Sequence, residues 1–323
     1  MKVFKIRRET DMVIILFILG LLLVIKGGSW FVDAASWIAE ATGIPKFIVG
    51  ATIVSLATTA PEQMVSIIAV LGGSNGLGIG NAIGSVSCNL GLGLAFVVVF
   101  APKVINVNKK DFSEKGILMF MGAVILWFLI RDTKLMPIES IILLCILIAF
   151  IAVNVKSIQL ESKSAKKRVP IEKKSLTVNI IKFVLGAVCI VLGARLMVDS
   201  GTAIAKMLGV PESIIGLTLV AVGTSLPEIV TAITAVMKKE SSMAVGNIIG
   251  ANIIDLTMIL SICSFLSGNG LTVDSSTIAV DIPVAIVLIV IMVFPTIMSG
   301  RFRKWQGVTA FGIYVGYVIT LVM

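Results

Sequence analysis

Three carboxylates sit where apolar chain ought to exclude them. Glu62 lies in the apolar run 47–71, Glu228 in 213–237 and Asp255 in 243–266. A charged carboxylate at mid-bilayer costs at least ~2.5 kcal/mol, and such residues are functional by default. Hydroxyls crowd the approach to each glutamate: Ser55, Thr58 and Thr59 before Glu62, and Thr218, Thr224 and Ser225 before Glu228. Pro61 and Pro227 directly precede the glutamates. Proline removes an amide donor and clashes one turn back, which frees the carbonyls of Ala57 and Gly223. Carboxylate, hydroxyl and carbonyl oxygens are the ligands of hard cations such as Ca²⁺ and, by the same logic, Na⁺; soft metals want Cys or His. The chain has no histidine. Cys88, Cys145, Cys189 and Cys263 show no metal or disulfide spacing and read as small apolar packing residues.

Two plainer explanations compete with a cation site. Ser and Thr commonly patch a proline kink, and for one copy alone that account is as good. Two copies, each with a glutamate, favour a site. Buried carboxylates also occur in ion pairs, but only Lys26 and Arg195, in the first and sixth runs, come near that depth. A second polar face supports the site. Asn81, Ser85 and Asn89 follow at steps of four and share one broad helical face, and Asn247, Ala251 and Asp255 repeat that spacing. Gly80, Gly84, Gly246 and Gly250 permit close helix contact. Packing explains those glycines but not Asn and Asp beside them.

The elements that must hold these residues are membrane helices. Of 323 residues, 57% are hydrophobic and 14% charged. Soluble domains carry about 25% charged residues. Mean hydropathy is +1.07, so the solvent is bilayer. The net charge of +9 lies in short loops between apolar runs, which disfavours nucleic acid as a partner and fits cytoplasmic membrane loops. Crossing the hydrocarbon takes about 20 apolar residues. Ten runs qualify: 11–34, 47–71, 77–101, 115–131, 137–155, 177–200, 213–237, 243–266, 276–298 and 305–323. The basic start followed by an apolar run superficially resembles a signal peptide, but no small-residue cleavage site precedes Lys26, so it reads as the first membrane helix.

The runs form two copies. Shifted by 166 positions, residues 20–34 align with 186–200, Gly43-Ile44-Pro45 with Gly209-Val210-Pro211, and Gly50-Ala51-Thr52 with Gly216-Leu217-Thr218. Ala60-Pro61-Glu62 falls on Leu226-Pro227-Glu228, and Gly80–Gly84 on Gly246–Gly250. The expected organisation is a first five-helix repeat at 1–155, a basic cytoplasmic loop at 156–175 and a second repeat at 176–323. Five is odd, so the second copy enters from the opposite side. The expected fold is an all-α membrane protein with ten transmembrane helices as two inverted five-helix repeats, an architecture of secondary transporters. Loops on one side carry Lys46, Lys103, Lys109, Lys110, Lys115, the 156–175 loop, Lys238, Lys239, Arg301, Arg303 and Lys304. The positive-inside rule places that side in the cytoplasm and both termini outside the plasma membrane, although the basic N-terminal tail opposes this.

The paired motifs resemble the cation/Ca²⁺ antiporter superfamily, in its Na⁺/Ca²⁺ exchanger branch of prokaryotic type. They are GATIVSLATTAPEQ at Gly50–Gln63 with GNAIGSVSCN at Gly80–Asn89, and GLTLVAVGTSLPEI at Gly216–Ile229 with GNIIGANIID at Gly246–Asp255. The resemblance covers essentially the whole chain. It implies Glu62, Asn89, Glu228 and Asp255 as central ligands and Thr58, Thr59, Ser85, Thr224 and Ser225 as flanking hydroxyl ligands. It implies the backbone carbonyls of Ser55 and Ala221 as main-chain ligands, with three Na⁺ sites and one overlapping Ca²⁺ site. Two departures stand out. Ala57-Thr58-Thr59-Ala60 replaces the family's Gly-Thr-Ser-Leu, and Ala251 stands where a serine usually partners Ser85. Proton-coupled relatives typically carry an acid and a histidine in the Gly-Asn motif, and this chain has neither there.

These readings give a secondary antiporter with no cofactor and no enzymatic activity, whose cargo is Ca²⁺ and Na⁺ and whose surroundings are the lipid bilayer, with no obligate protein partner evident. Helices 1 and 6 are the expected moving part. H⁺/Ca²⁺ exchange on the same fold is the alternative. A channel is disfavoured because channels usually build filters by symmetric oligomerisation, whereas one chain here supplies a pseudo-symmetric ligand set. No nucleophile–base pair or cofactor loop suggests an enzyme.

Overall fold

The computed structural model describes residues 2–164, 173–207 and 221–322. The middle of the basic loop, the Gly209-Val210-Pro211 motif and the Gly216-Leu217-Thr218 motif lie outside the described residues. In lipid each backbone donor must be satisfied within its own segment, and the apolar runs accordingly form helices. The first copy holds α1 (Lys2–Thr42), α2 (Lys46–Val49), α3 (Ser55–Thr58), α4 (Ala60–Leu71), α5 (Asn75–Cys88), α6 (Ala95–Phe100), α7 (Lys109–Leu129) and α8 (Pro137–Ser164). The second holds α9 (Lys173–Met207), α10 (Ala221–Thr224), α11 (Leu226–Met237), α12 (Ser241–Ile254), α13 (Leu260–Leu266), α14 (Ile282–Ser299) and α15 (Lys304–Val322). π-helical turns at Gly50–Val54, Asn89–Leu94, Asp255–Ile259 and Thr277–Asp281 interrupt them. The bounds of α4 and α11, and of α5 and α12, each differ by the same 166 residues as the sequence motifs.

Among the described residues, seven helical stretches are long and apolar enough to span a bilayer, or eight when the bent pair Lys46–Thr58 and Ala60–Leu71 counts as one span. The protein is therefore an all-helical, multi-pass membrane protein. Two of the ten expected runs fall short by that measure. The 12-residue α11 continues a run whose earlier part lies outside the described residues. The 19-residue α15 is diluted by Lys304, Gln306, Tyr314 and Tyr317.

The structure corrects the placement of one basic residue. Lys115 is not in a loop. Helix α7 begins at Lys109, where the Asn108 side chain accepts hydrogen bonds from the amides of Lys110 and Asp111 at 3.1 and 3.5 Å. That cap carries Lys115 into the helix, buried, with Nζ 5.0 Å from the Phe47 ring. Lys26 and Arg195, by contrast, are exposed, and Arg195 makes only a loose 4.0 Å contact with the exposed Asp199. Neither neutralises the buried carboxylates.

Burial sorts the helices into a core and an outer pair. In their most apolar stretches, Asn75–Phe100 is 72% buried and Ser241–Leu266 is 83% buried, whereas the α1 and α9 stretches are only 22% and 17% buried. Helices α1 and α9 pack antiparallel. A Cβ on Gly27 would meet the Gly186 carbonyl at 2.9 Å, and one on Gly193 would meet the Gly20 carbonyl at 2.7 Å. In the core, a Cβ on Gly250 would come within 2.4 Å of the Ala51 carbonyl. Only glycine lets α12 lie against the Gly50–Val54 turn this closely.

Loop contacts gather at two ends of the bundle. At one end Lys46 pairs with Glu40 and Glu240 at 3.0 and 2.6 Å, Lys238 with Asp33 at 2.5 Å, and Asn106 bridges Arg301. At the other, the two-residue strands β1 (Lys134–Leu135) and β2 (Leu271–Thr272) pair antiparallel, and Asn75 Nδ2 donates to Thr272 Oγ1 at 3.1 Å.

Candidate cation site

Each glutamate sits at a helix break. In the first copy the chain bends by 43° between Thr58 and Ala60. Thr59 at the break has φ −79° and ψ −3°, and its counterpart Ser225 has φ −85° and ψ −1°. Both lie in the sparsely used bridge region where many active-site residues are found. Pro61 and Pro227 follow as second residues of the new helices, a position where the missing amide proton costs nothing. The prolines therefore start half-helices here and do not kink continuous ones. Glu62 and Glu228 fall in the first turns of α4 and α11, where the positive end of the helix dipole favours a carboxylate. Asn89 and Asp255 each open a π-helical turn. Such single-turn bulges recur at functional sites.

The structure brings Glu62, Thr58, Ser225, Glu228 and Asp255 together from both copies. Ser55, Thr58, Thr59, Glu62, Ser85, Asn89, Ser225, Glu228 and Asp255 are all buried, and Thr224 is half-buried. Ala221 opens α10. Ser225 Oγ donates to Glu62 Oε1 at 3.1 Å, across the copies. The Glu62, Glu228 and Asp255 carboxyls are close enough to feel one another's charge. Among the described residues, however, no three His, Cys, Asp or Glu side chains converge as a compact metal centre, so hydroxyls and amides must complete any coordination sphere. Among the expected ligands, seven oxygens are buried without an aligned hydrogen bond: Ser85 Oγ, Asn89 Oδ1, Glu62 Oε2, both of Glu228 and both of Asp255. Thr58 and the Glu62 carboxyl lie near Glu228. Buried polar atoms are nearly always paired, and a cluster of unpaired oxygens suits a hard cation. One expected ligand fits less well. The Ser55 carbonyl already accepts from the Thr59 amide, the Thr59 hydroxyl and the Thr58 hydroxyl, at 2.9, 2.8 and 3.2 Å.

A cavity of about 640 Å³ lies between α9 and the two breaks, lined by Pro61, Pro227, Thr224, Arg195, Asp199 and several apolar side chains. It reaches the edge of the cluster at Thr224.

The sequence matches the family described as "Sodium/calcium exchanger protein" twice, over residues 12–156 and again over 178–323. The chain belongs to the sodium/calcium exchanger family. Two curated relatives span nearly its full length. An uncharacterized membrane protein of Methanocaldococcus jannaschii is 30% identical, over 95% of this chain and 97% of its own. The sodium/calcium exchanger MaX1 of Methanosarcina acetivorans is 28% identical over the same shares. The sodium-calcium exchanger NCX_Mj, soaked with 100 mM Na⁺ and 10 mM Sr²⁺, has the same fold, with a TM-score of 0.83 and 27% identity over 97% of this chain and 100% of that one. Both repeats of this exchanger-family chain carry the family signature.

Asn81 and Asn247 were read from the sequence as part of the polar face but not as ligands, and Asn252 was not singled out. Asn252 Oδ1 accepts from Asn89 Nδ2 at 3.0 Å. Asn81 and Asn247 each bond to the carbonyl of their own copy's glutamate. The available signal was their polarity inside apolar helices, the same signal that marks Asp255.

Proposed function

We propose that this chain exchanges Na⁺ for Ca²⁺ across the membrane by alternating access at one shared site between the two copies. The observation that carries this reading is the pair of buried glutamates at equivalent helix breaks, linked across the copies by Ser225, amid unpaired acceptor oxygens. In this reading Glu62, Glu228, Asp255 and Asn89 are the central ligands. The hydroxyls of Thr58, Thr59, Ser85, Thr224 and Ser225 and the carbonyls of Ser55 and Ala221 flank them. Three carboxylates offer up to three negative charges, enough for one Ca²⁺ or up to three Na⁺ but not both loads together. Competition for common ligands makes the two ions cross in separate half-cycles.

The architecture we infer is ten helices in two inverted repeats. Support comes from the loop contacts. Asn106 meets Arg301 at one end of α7, while Lys134 and Leu135 meet Thr272 and Leu271 at the other. Asn106 and Thr272 are equivalent residues, 166 apart, and they sit at opposite ends of the same helix. An odd number of spans per repeat produces that inversion. The basic loop charges favour the Lys46, Asn106 and Lys238 end as cytoplasmic, with both termini outside. The lipid-exposed pair α1 and α9 is the natural moving element, sliding on a core that holds the ligands, and the cavity beside α9 gives ions a path to the cluster. Na⁺ and Ca²⁺ are also the ions soaked into one of the NCX_Mj structures, which concern extracellular ion exchange and induced binding-site occlusion.

A second reading, H⁺ in place of Na⁺, draws on Ala251, which removes one hydroxyl ligand. The absence of histidine counts against it. Ca²⁺ uptake into proteoliposomes under an imposed Na⁺ gradient or an imposed pH gradient separates the two. Uptake driven by outward Na⁺ and indifferent to pH supports the first reading; the reverse overturns it.

A further inference from the structure

Two asparagines outside the expected ligand set join the halves of the site. Asn81 Nδ2 donates to the Glu62 carbonyl at 3.2 Å and to Ser66 Oγ at 2.9 Å, and Asn81 Oδ1 accepts from Thr224 Oγ1 at 3.1 Å. Asn247 Nδ2 donates to the Glu228 carbonyl at 3.4 Å, and Asn247 Oδ1 accepts from Thr58 Oγ1 at 3.2 Å. The two sets are equivalent under the 166-residue shift, and each crosses from one repeat to the other. Chemistry fixes their direction. A backbone carbonyl can only accept, so each asparagine must turn its NH₂ to the glutamate carbonyl. Its amide oxygen then faces the threonine of the other repeat, and that hydroxyl must donate its proton there. The Thr58 hydroxyl has two further acceptors nearby, the Ser55 carbonyl at 3.2 Å and the Glu228 carboxyl, so Asn247 holds it among them.

We propose that Asn81 and Asn247 are positioning residues that tie each repeat's glutamate to the opposite repeat's threonine, so that the two halves of the site respond together to Na⁺. The inference rests on the Na⁺/Ca²⁺ reading above. Its reason is selectivity. One Ca²⁺ is held chiefly by the carboxylates, whereas several Na⁺ need the flanking hydroxyls as well. Disorienting Thr58 or Thr224 therefore weakens Na⁺ binding more than Ca²⁺ binding. It also uncouples the first Na⁺ from the next, because each asparagine touches a glutamate of one repeat and a hydroxyl of the other.

The test is exchange by purified protein in liposomes, with Na⁺ and Ca²⁺ half-saturation and the Na⁺ Hill coefficient read for each variant. Asn81→Ala and Asn247→Ala should raise the Na⁺ half-saturation about three- to tenfold, the range one buried neutral hydrogen bond is worth. They should lower the Hill coefficient and shift the Ca²⁺ half-saturation less than about twofold. Thr58→Val, which removes a proposed ligand oxygen together with the contact, should cost at least as much as Asn247→Ala, and the double variant should be no worse than Thr58→Val alone, as expected for partners in one contact. Should the alanine variants not fold, Thr58→Val and Thr224→Val break the same contacts from the other side. Equal losses for Na⁺ and Ca²⁺, an unchanged Hill coefficient, or additive losses in the double variant would each overturn the proposal and leave only a packing role. A wild-type protein with no Na⁺ dependence would overturn the exchange reading, and this inference with it.

Discussion

Glu62 and Glu228 occupy equivalent places 166 residues apart, yet their surroundings differ. Ser225 donates to Glu62 at 3.1 Å. Its counterpart Thr59 turns its hydroxyl back to the Ser55 carbonyl at 2.8 Å, and neither oxygen of Glu228 has an aligned donor. The next turn along repeats the contrast. Asn89 is neutral and tied to Asn252 at 3.0 Å. Asp255, in the equivalent place, has no donor on either oxygen. Ser85 offers a hydroxyl where Ala251 offers a methyl. In the proposed site the first repeat thus supplies one carboxylate and most of the neutral ligands, and the second supplies two carboxylates with few partners. Charge and geometry have been divided between the copies. Variants that equalise the copies, or exaggerate their difference, should show which half serves which ion.

The largest effect should come from removing either glutamate charge. Glu62→Gln and Glu228→Gln are each expected to lower Na⁺-dependent Ca²⁺ uptake by about a hundredfold or more, the scale of losing one member of a buried charged contact. Full exchange by either variant, assayed in proteoliposomes, would remove the site from this pair. Asp255→Asn makes the two copies alike where Asn89 is already neutral. It takes one negative charge from the Na⁺-loaded state, so two Na⁺ should then balance one Ca²⁺. Exchange of three Na⁺ for one Ca²⁺ moves one net charge, worth ~2.3 kcal/mol per 100 mV. The variant should therefore lose the dependence of rate on an imposed membrane potential. A potential dependence like that of wild type would mean that Asp255 does not set the stoichiometry.

A smaller difference is expected between the break residues. Ser225→Ala removes a hydroxyl that bonds a carboxylate, and hydrogen bonds to charged groups are worth more than neutral ones. It should raise the Na⁺ half-saturation about tenfold. Thr59→Ala removes a hydroxyl that bonds only neutral groups, donating to the Ser55 carbonyl and accepting from Gln63 Nε2 at 3.3 Å, and should change it by less than about threefold. The reverse order would show that Thr59 turns toward Glu228 when ions bind, which would erase the contrast between the copies.

The family and the outline of the site were legible in the sequence because buried carboxylates, prolines and asparagines at one fixed spacing are hard to produce by chance in an apolar chain. Glu62, Glu228 and Asp255 announced themselves by cost alone, since polar groups in lipid need a reason to be there. The helix breaks were legible as prolines that free backbone carbonyls, with a patched kink as the competing account. That the prolines begin new half-helices, with each glutamate in the first turn, depends on backbone geometry that composition does not encode. The π-helical turns at Asn89 and Asp255 left no signal of their own, because a one-residue bulge needs no particular side chain. Lys115 was misplaced because a hydropathy window starts a span after the last charge, whereas the helix starts at the Asn108 cap and buries the lysine against Phe47. Asn81, Asn247 and Asn252 were visible as polar residues in apolar helices, but their partners lie in the other repeat or on other helices, which no local pattern reveals.

The smallest expected effect is the most pointed test of the asymmetry. Ala251 is fully buried, and its counterpart Ser85 has a buried hydroxyl with no hydrogen bond. Ala251→Ser would give the second repeat the oxygen that the first already has. A serine in a helix can return its hydroxyl to the carbonyl four residues back, here that of Asn247, so the added group need not stay unpaired when no ion is bound. If a missing hydroxyl limits Na⁺ binding, the variant should lower the Na⁺ half-saturation about two- to threefold, within the range of one neutral contact. Ca²⁺ half-saturation should hold steady, because the carboxylates are untouched. An unmoved Na⁺ dependence would place the functional difference between the repeats in the exchange of Asn89 for Asp255, and so in the number of charges and not the number of hydroxyls.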